Sequence, residues 1–289
     1  MIITNYTNGN INVEIHDDGT KIRDFYGIPQ PEFPESIDIK ITDYCDMGCR
    51  YCHESSTISG LHGNLDHLLK KLSILPKGIE LAIGGGNPLS HSDLIHFLTE
   101  ANAVGFIPNI TVNQGHLKVY QDLLQDLIHN NLIYGLGISI TSLNISYIKP
   151  LLDATPNIVF HMIAGVTPVE YIDYYLLGKY CKVLVLGYKQ YGFGRTYYSP
   201  EVRQNLDKWK WFIPRYLSKC TLSFDNLSIE QLHVKRLLSE TKWEEFYMGE
   251  DFSHTMYIDA VKQEFAQTSR SEDRTSWKDT SIIDYFKKR

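Results

Sequence analysis

Cysteine is scarce in this chain, five among 289 residues, and unevenly spread. Cys45, Cys49 and Cys52 crowd together, while Cys181 and Cys220 stand alone in apolar stretches. An odd, low count with one cluster argues against a disulfide framework and for a reducing compartment. The two isolated cysteines read as buried small hydrophobes and are too few to hold a second metal cluster. Long apolar runs are also missing: Val183–Gly187 is strand-sized, far short of the ~20 residues a spanning helix needs. Basic charge is in deficit, 28 Lys and Arg against 34 Asp and Glu, a net charge of −6. No global basic field attracts nucleic acid, although a local groove could still bind it. The opening Met-Ile-Ile-Thr-Asn-Tyr turns polar at once and has no basic segment of a secretory signal. The expectation is a cytoplasmic protein without membrane attachment. With 43% hydrophobic residues, the chain can bury one large core, or a barrel with a small appendage.

What is present is a strand-then-helix rhythm. Apolar, β-branched runs occur at Ser36–Thr42, Ile79–Ile83, Ile107–Val112, Tyr134–Ile140, Ile158–Ala164 and Lys182–Gly187. Helical stretches fall between them at Leu65–Leu75, Ser92–Ala103, Leu117–His129, Ile145–Leu152 and Val169–Lys179. Continuous apolar strands separated by helices predict a parallel sheet covered by helices. Six such units can curl into a partial (β/α)6 TIM-like barrel, and an open doubly wound sheet has the same rhythm. Ahead of them, Asn5–Phe25 reads as a β-hairpin, with turn signals at residues 7–10 and 17–19. Behind them, Pro200–Leu217 reads as a helix, Cys220–Asp225 as a strand, Ile229–Phe246 as a helix and Met256–Phe265 as a strand or edge segment. The charged tail beyond Ser269 is expected to be partly mobile. The expected divisions are 1–35, a hairpin and lead-in; 36–195, the barrel; and 196–289, an α+β extension capping its mouth.

The three clustered cysteines form C-x3-C-x2-C, directly after the first strand of the rhythm. In parallel α/β architectures ligands collect at the C-terminal ends of strands. Thiolates are the usual protein ligands of iron–sulfur clusters. Three ligands on a four-iron cluster leave one iron open to a small molecule, whereas a closed structural zinc site takes four protein ligands. Zinc held by the three cysteines and His53 is the rival reading, and adjacent Cys52 and His53 would chelate one ion awkwardly.

On this motif the chain resembles the radical S-adenosylmethionine (SAM) enzymes, over roughly Ser36 to Lys189. The resemblance implies a [4Fe–4S] cluster on Cys45, Cys49 and Cys52, with SAM chelating the fourth iron. It also implies reductive cleavage of SAM to a 5′-deoxyadenosyl radical that abstracts a substrate hydrogen, and a reductant protein such as flavodoxin or ferredoxin. Tyr51 takes the aromatic position before the last cysteine, near the adenine. The run Gly84-Gly85-Gly86-Asn87-Pro88 matches the family's Gly-Gly-Glu-Pro motif, whose backbone binds the SAM amino group. Glycines permit such close backbone approach, and Asn87 departs from the usual glutamate. By strand position the resemblance further implies SAM contacts from Asn113, Ser139 and Thr141, with Ile163 and Leu186 packing on the adenine. His161 lies inside an apolar strand, a place that suits a satisfied core histidine as well as a site residue.

Substrate-side candidates are His53 and Glu54 after the last cysteine, and Lys189, Tyr188 and Arg195 after the sixth strand. Gly192 and Gly194 there suggest a loop that closely approaches something. Asp225 falls at the end of an expected strand, and Asp259 lies inside an apolar segment, where a carboxylate needs a partner; Arg270, Arg274 or the substrate can supply it. The aromatics at 209, 211, 212 and 216 have helical spacing and read as core. Too few cysteines remain for the extra clusters of some peptide modifiers. That favours a small or nucleotide-like substrate, with a peptide modifier and a non-catalytic cluster- or SAM-binding regulator as alternatives.

Overall fold

Strand β4 (Ser36–Thr42) sets the plan, because its alternation sorts two environments. Ile37, Ile39 and Ile41 are buried, at 0–2% exposure, in the main hydrophobic core, while Asp38 and Lys40 take the opposite face. In the computed structural model, which describes residues 1–176 and 181–288, β4 lies inside a large mixed sheet. The other strands of that sheet are β5 (Glu80–Gly85), β6 (Ile107–Asn113), β7 (Gly135–Ser139), β8 (Ile158–Ile163), β9 (Lys182–Leu186), β10 (Thr221–Phe224), β11 (Thr255–Asp259), β12 (Glu264–Ala266) and β13 (Thr275–Ser276). Among the described residues it has ten strands in the order β10-β9-β8-β7-β6-β5-β4-β11-β12-β13. Every pairing from β10 to β11 is parallel, and β12 and β13 add antiparallel.

Helices α1 (Leu65–Leu72), α2 (Leu94–Val104), α3 (Leu117–His129), α4 (Lys149–Ala154) and α5 (Tyr171–Leu176) connect the successive strands β4 to β9. Local chemistry sets their ends. Asn64 caps α1 by accepting from the His67 amide at 2.9 Å. Gly105, at φ +95°, ends α2 in the left-handed conformation. Pro150 in the first turn of α4 starts that helix later than the expected residue 145. The expected end of the Val169–Lys179 helix, at 177–179, lies outside the described residues.

Three expectations change. The N-terminal hairpin is a three-stranded antiparallel meander, β1 (Ile2–Asn8), β2 (Ile11–His16) and β3 (Lys21–Phe25), turning at Gly9 (φ +62°) and Gly19 (φ +82°). Its Ile11, Val13 and Ile15 pack with Ile107 in a small separate core. The helix expected over 229–246 is divided. After α6 (Phe193–Tyr197) and α7 (Pro200–Tyr216) come α8 (Asn226–Leu232) and α9 (Glu240–Phe246). His233 at φ +57° breaks the run between α8 and α9. The tail beyond Ser269 is built in: Trp277, and Ile282 and Phe286 of α10 (Ile282–Phe286), are buried at 0–2% exposure. The segment after residue 195 adds strands to the sheet beyond both β9 and β4.

Candidate functional site

The cysteine loop leaves β4 at Thr42 and is pinned on several sides. The Cys45 amide donates to the Thr57 carbonyl at 2.9 Å, and the Cys52 amide to the Cys49 carbonyl at 3.1 Å. The glycine run at the end of β5 lies against its base, with the Gly86 amide 2.8 Å from the Thr42 carbonyl and the Asn87 amide 2.6 Å from the Tyr44 carbonyl. A Cβ on Gly86 would stand 2.1 Å from the Tyr44 oxygen, so only glycine fits. At Gly84 an added Cβ would meet nothing within 4 Å. The backbone there is open to the cavity, as a ligand cradle requires.

Asp46 ties this loop to two other strand ends. It accepts from the His116 Nε2 at 2.8 Å and from the Asn87 amide group at 3.5 Å. Burial raises its carboxyl, but the His116 hydrogen bond and charge, its own backbone amide and the Asn87 amide together outweigh burial and hold its pKa below the ordinary value. Asn87 is fully buried and also accepts from the Leu89 amide, so its side chain holds the glycine turn and does not line the cavity.

One cavity of about 290 Å³ gathers the expected residues. Cys45, Cys49, Tyr51, Cys52, His53, Glu54, the three glycines 84–86, Asn113, Ser139, Thr141, His161, Ile163, Leu186 and Lys189 all line it. The three thiols are free and half-buried, and Asn113 donates its amide to the Cys49 sulfur at 3.6 Å. Burial raises the Cys45 and Cys49 thiols, with the Tyr51 and Asn113 hydrogen bonds partly offsetting it at Cys49. Burial alone pushes His161 down to about 4, so it is a neutral imidazole at pH 7. Cys181 and Cys220 are buried away from this cavity.

Among the described residues, one group of three His, Cys, Asp or Glu ligand atoms lies within 4.8 Å of one another: Cys45, Asp46 and His116. His53 is not in it. Its Nε2 sits 3.3 Å from Glu54 and 3.4 Å from the Lys189 ammonium. Glycines 192 and 194 serve the close approach of their loop to the cysteine segment: the Phe193 amide donates to the Cys52 carbonyl at 3.0 Å. A Cβ on Gly192 would come within 2.5 Å of the His53 oxygen.

The remaining candidates lie outside the cavity lining. Arg195 is exposed. Asp225 caps α8, accepting from the Ser228 amide at 2.8 Å and from the Gly187 amide at 2.9 Å. Arg270 pairs with Asp251. Asp259 finds its partner in Lys40, at 2.6 Å, rather than in Arg270 or Arg274. Lys40 also meets Asp43 at 2.9 Å and Glu54 at 3.3 Å. Burial works against its charge, but the carboxylates win and hold its pKa above the ordinary value. Burial would likewise raise Glu54, but His53 and Lys40 hold it down to about 2. The lining also includes Asp38, Lys40, Thr111, Tyr257 and Ser269, which were not among the expected site residues. The alternation of β4 carries the signal for the first two, and Tyr257 shares that periodicity with Asp259 on β11.

No family model matches the chain, and no curated protein matches it. Solved structures do. SuiB of Streptococcus suis bound to the precursor peptide SuiA superposes with a TM-score of 0.64 at 13% identity, over 89% of this chain and 65% of that one. SuiB bound to S-adenosylmethionine gives 0.60 at 13% identity, over 89% and 66%, and a further SuiB structure gives 0.57. The present chain therefore shares the fold of SuiB over about two thirds of that protein's length.

Proposed function

We propose that this chain is a radical SAM enzyme. The observation that carries the reading is the convergence of three half-buried cysteine thiols and an open glycine backbone on one cavity, in a SuiB-like fold. Cys45, Cys49 and Cys52 would hold a [4Fe–4S] cluster, whose chemistry when loaded is one-electron reduction of SAM to a 5′-deoxyadenosyl radical. The donor set suits it, being three thiols with an amide donor on one sulfur. Gly84 to Gly86 would take the SAM amino group. Asn113, Ser139 and Thr141 would take its polar atoms, and Tyr51, Ile163 and Leu186 its adenine. The chain's own part is to orient the cofactor and keep water from the reacting centre.

Residues of seven parallel strands, β4 to β9 and β11, line this one cavity. A flat sheet would spread them across roughly 29 Å at ~4.8 Å per strand, so we read the sheet as curled into a partial barrel. The segment 196–289 then closes over its contents, and the division at 35 and 195 stands as part of this proposal. No helix among the described residues is long and apolar enough to cross a membrane. We place the enzyme in a reducing, cytoplasmic compartment, served by a flavodoxin- or ferredoxin-type reductant. SuiB bound to its precursor peptide favours a peptide substrate over the small or nucleotide-like molecule expected from the cysteine count.

The test is anaerobic. Chain reconstituted with iron and sulfide is given SAM and dithionite, and 5′-deoxyadenosine is measured by mass spectrometry. Product that disappears in Cys49→Ala is expected; a chain that assembles no cluster overturns the reading.

A further inference from the structure

Asp38 lines the same cavity and is not among the residues assigned above to the cluster or to SAM. It sits on β4 in register with Ala82 of β5 and Tyr257 of β11, at the wall where the C-terminal strand joins the sheet. It lies four positions, about 13 Å of strand, before Thr42 at the strand's C-terminal end. Its side chain lines the cavity and is exposed to the water that fills it, and the protein walls around it raise its pKa above the ordinary carboxylate value. Among the described residues it has no hydrogen bond and no ion pair.

The neighbouring cations are committed elsewhere. Lys40, next on the same face, is held by Asp259, Asp43 and Glu54. Lys189 enters from the end of β9 and donates to the Ser269 hydroxyl at 2.9 Å; Asp38 feels its charge, opposed by Asp225 and Asp251. His161 is neutral. The Arg274 guanidinium lies 4.9 Å over the Tyr257 ring and donates to the Ser271 and Ser269 carbonyls. The two ammonium groups of this wall therefore meet four carboxylates, Asp38, Asp43, Glu54 and Asp259. A substrate that displaces water from the cavity leaves the Asp38 carboxylate needing a cationic partner, and one more cation fits this wall.

We propose that Asp38 anchors a cationic group of the substrate, an ammonium or guanidinium reaching down the cavity from its mouth. The inference rests on reading the cavity as the substrate chamber of the proposed enzyme, and it assigns that substrate a basic group. Such a group can belong to a free amine or to a basic side chain of a peptide.

The test reads binding, so it does not depend on radical chemistry. Ligand-observed NMR at pH 7.5 compares n-butylammonium, isosteric n-butanol and Nα-acetyl-lysine N-methylamide on the full chain, with and without reconstitution. Wild type is expected to bind n-butylammonium at least tenfold more tightly than n-butanol, and Asp38→Asn to remove that preference. Thermal unfolding of the ligand-free Asp38→Asn protein is expected at or above the wild-type temperature, because the change removes an unpaired charge. The capped lysine binding tenfold more tightly than n-butylammonium indicates a peptide side chain; equal binding indicates a free amine. Equal affinity of wild type for n-butanol and n-butylammonium overturns the proposal whether or not the variant folds. So does an amine preference that persists in Asp38→Asn. Loss of 5′-deoxyadenosine formation alongside intact amine binding would count against the radical reading alone.

Discussion

The Lys40 ammonium lies 2.6 Å from the Asp259 carboxylate, joining two strands that stand 219 residues apart in sequence. Both side chains are nearly inaccessible, at 5% and 2%. Removing one end is not equivalent to removing the other. Lys40→Met strands three carboxylates around an apolar chain, at a cost of about 3–5 kcal/mol. Asp259→Asn leaves Lys40 with Asp43 and Glu54, and its amide oxygen can still accept from the Val261 and Lys262 amides, now at 3.1 and 2.9 Å. That change should cost about 1 kcal/mol. Urea denaturation at pH 7.5 measures both, and equal losses would show that the asymmetry is absent.

Two glycines of one turn should separate folding from ligand binding. Gly86→Ala drives a methyl into the Tyr44 carbonyl at the root of the cysteine loop, at about 3 kcal/mol. Gly84→Ala meets open cavity, so stability should stay within about 0.5 kcal/mol. SAM binding, followed by equilibrium dialysis, should nevertheless weaken about tenfold. Unchanged SAM affinity in a stable Gly84→Ala protein would move the cradle elsewhere.

Much of this arrangement is legible in the sequence where the signals are local. The strand Ser36–Thr42 and the helix Leu117–His129 fall on their expected residues, because alternation and helical periodicity are properties of short windows. The break at His233 is not, since a left-handed non-glycine residue leaves no periodic trace. Nor is the parallel pairing of β11 with β4, which rests on contacts between distant segments. That pairing turns Asp259 from a substrate candidate in an apolar segment into the partner of Lys40. It also places Tyr257 beside Asp38, with its hydroxyl 3.2 Å from Glu54. The alternation of Asp38 and Lys40 with three isoleucines along this strand was visible, but alternation alone does not tell a cavity wall from a solvent face.

His161 gives a pH signature with a definite sign. Its pKa falls from 6.5 to about 4 on folding. Between those values the unfolded chain binds the extra proton, so stability is complete above pH 6.5 and is lost as pH falls toward 4. The loss amounts to about 3 kcal/mol. His161→Gln should flatten the stability profile in that window by a similar amount and leave it unchanged above pH 7. Parallel wild-type and variant profiles in urea would show that the imidazole titrates normally.

The C-terminal helix should behave as core. Phe286 is fully buried, with its ring 5.4 Å from that of Phe252, and Ile282 beside it is fully buried too. Phe252 precedes β11, so these contacts brace the strand that carries Asp259 and Tyr257. Phe286→Ala should cost about 3–5 kcal/mol and lower hydrogen-exchange protection of β11 amides more than those of β7, which lies four strands away. A free tail predicts the opposite, with little change in stability and no gradient of protection across the sheet. Thermal unfolding with exchange mass spectrometry on the two strands separates the outcomes.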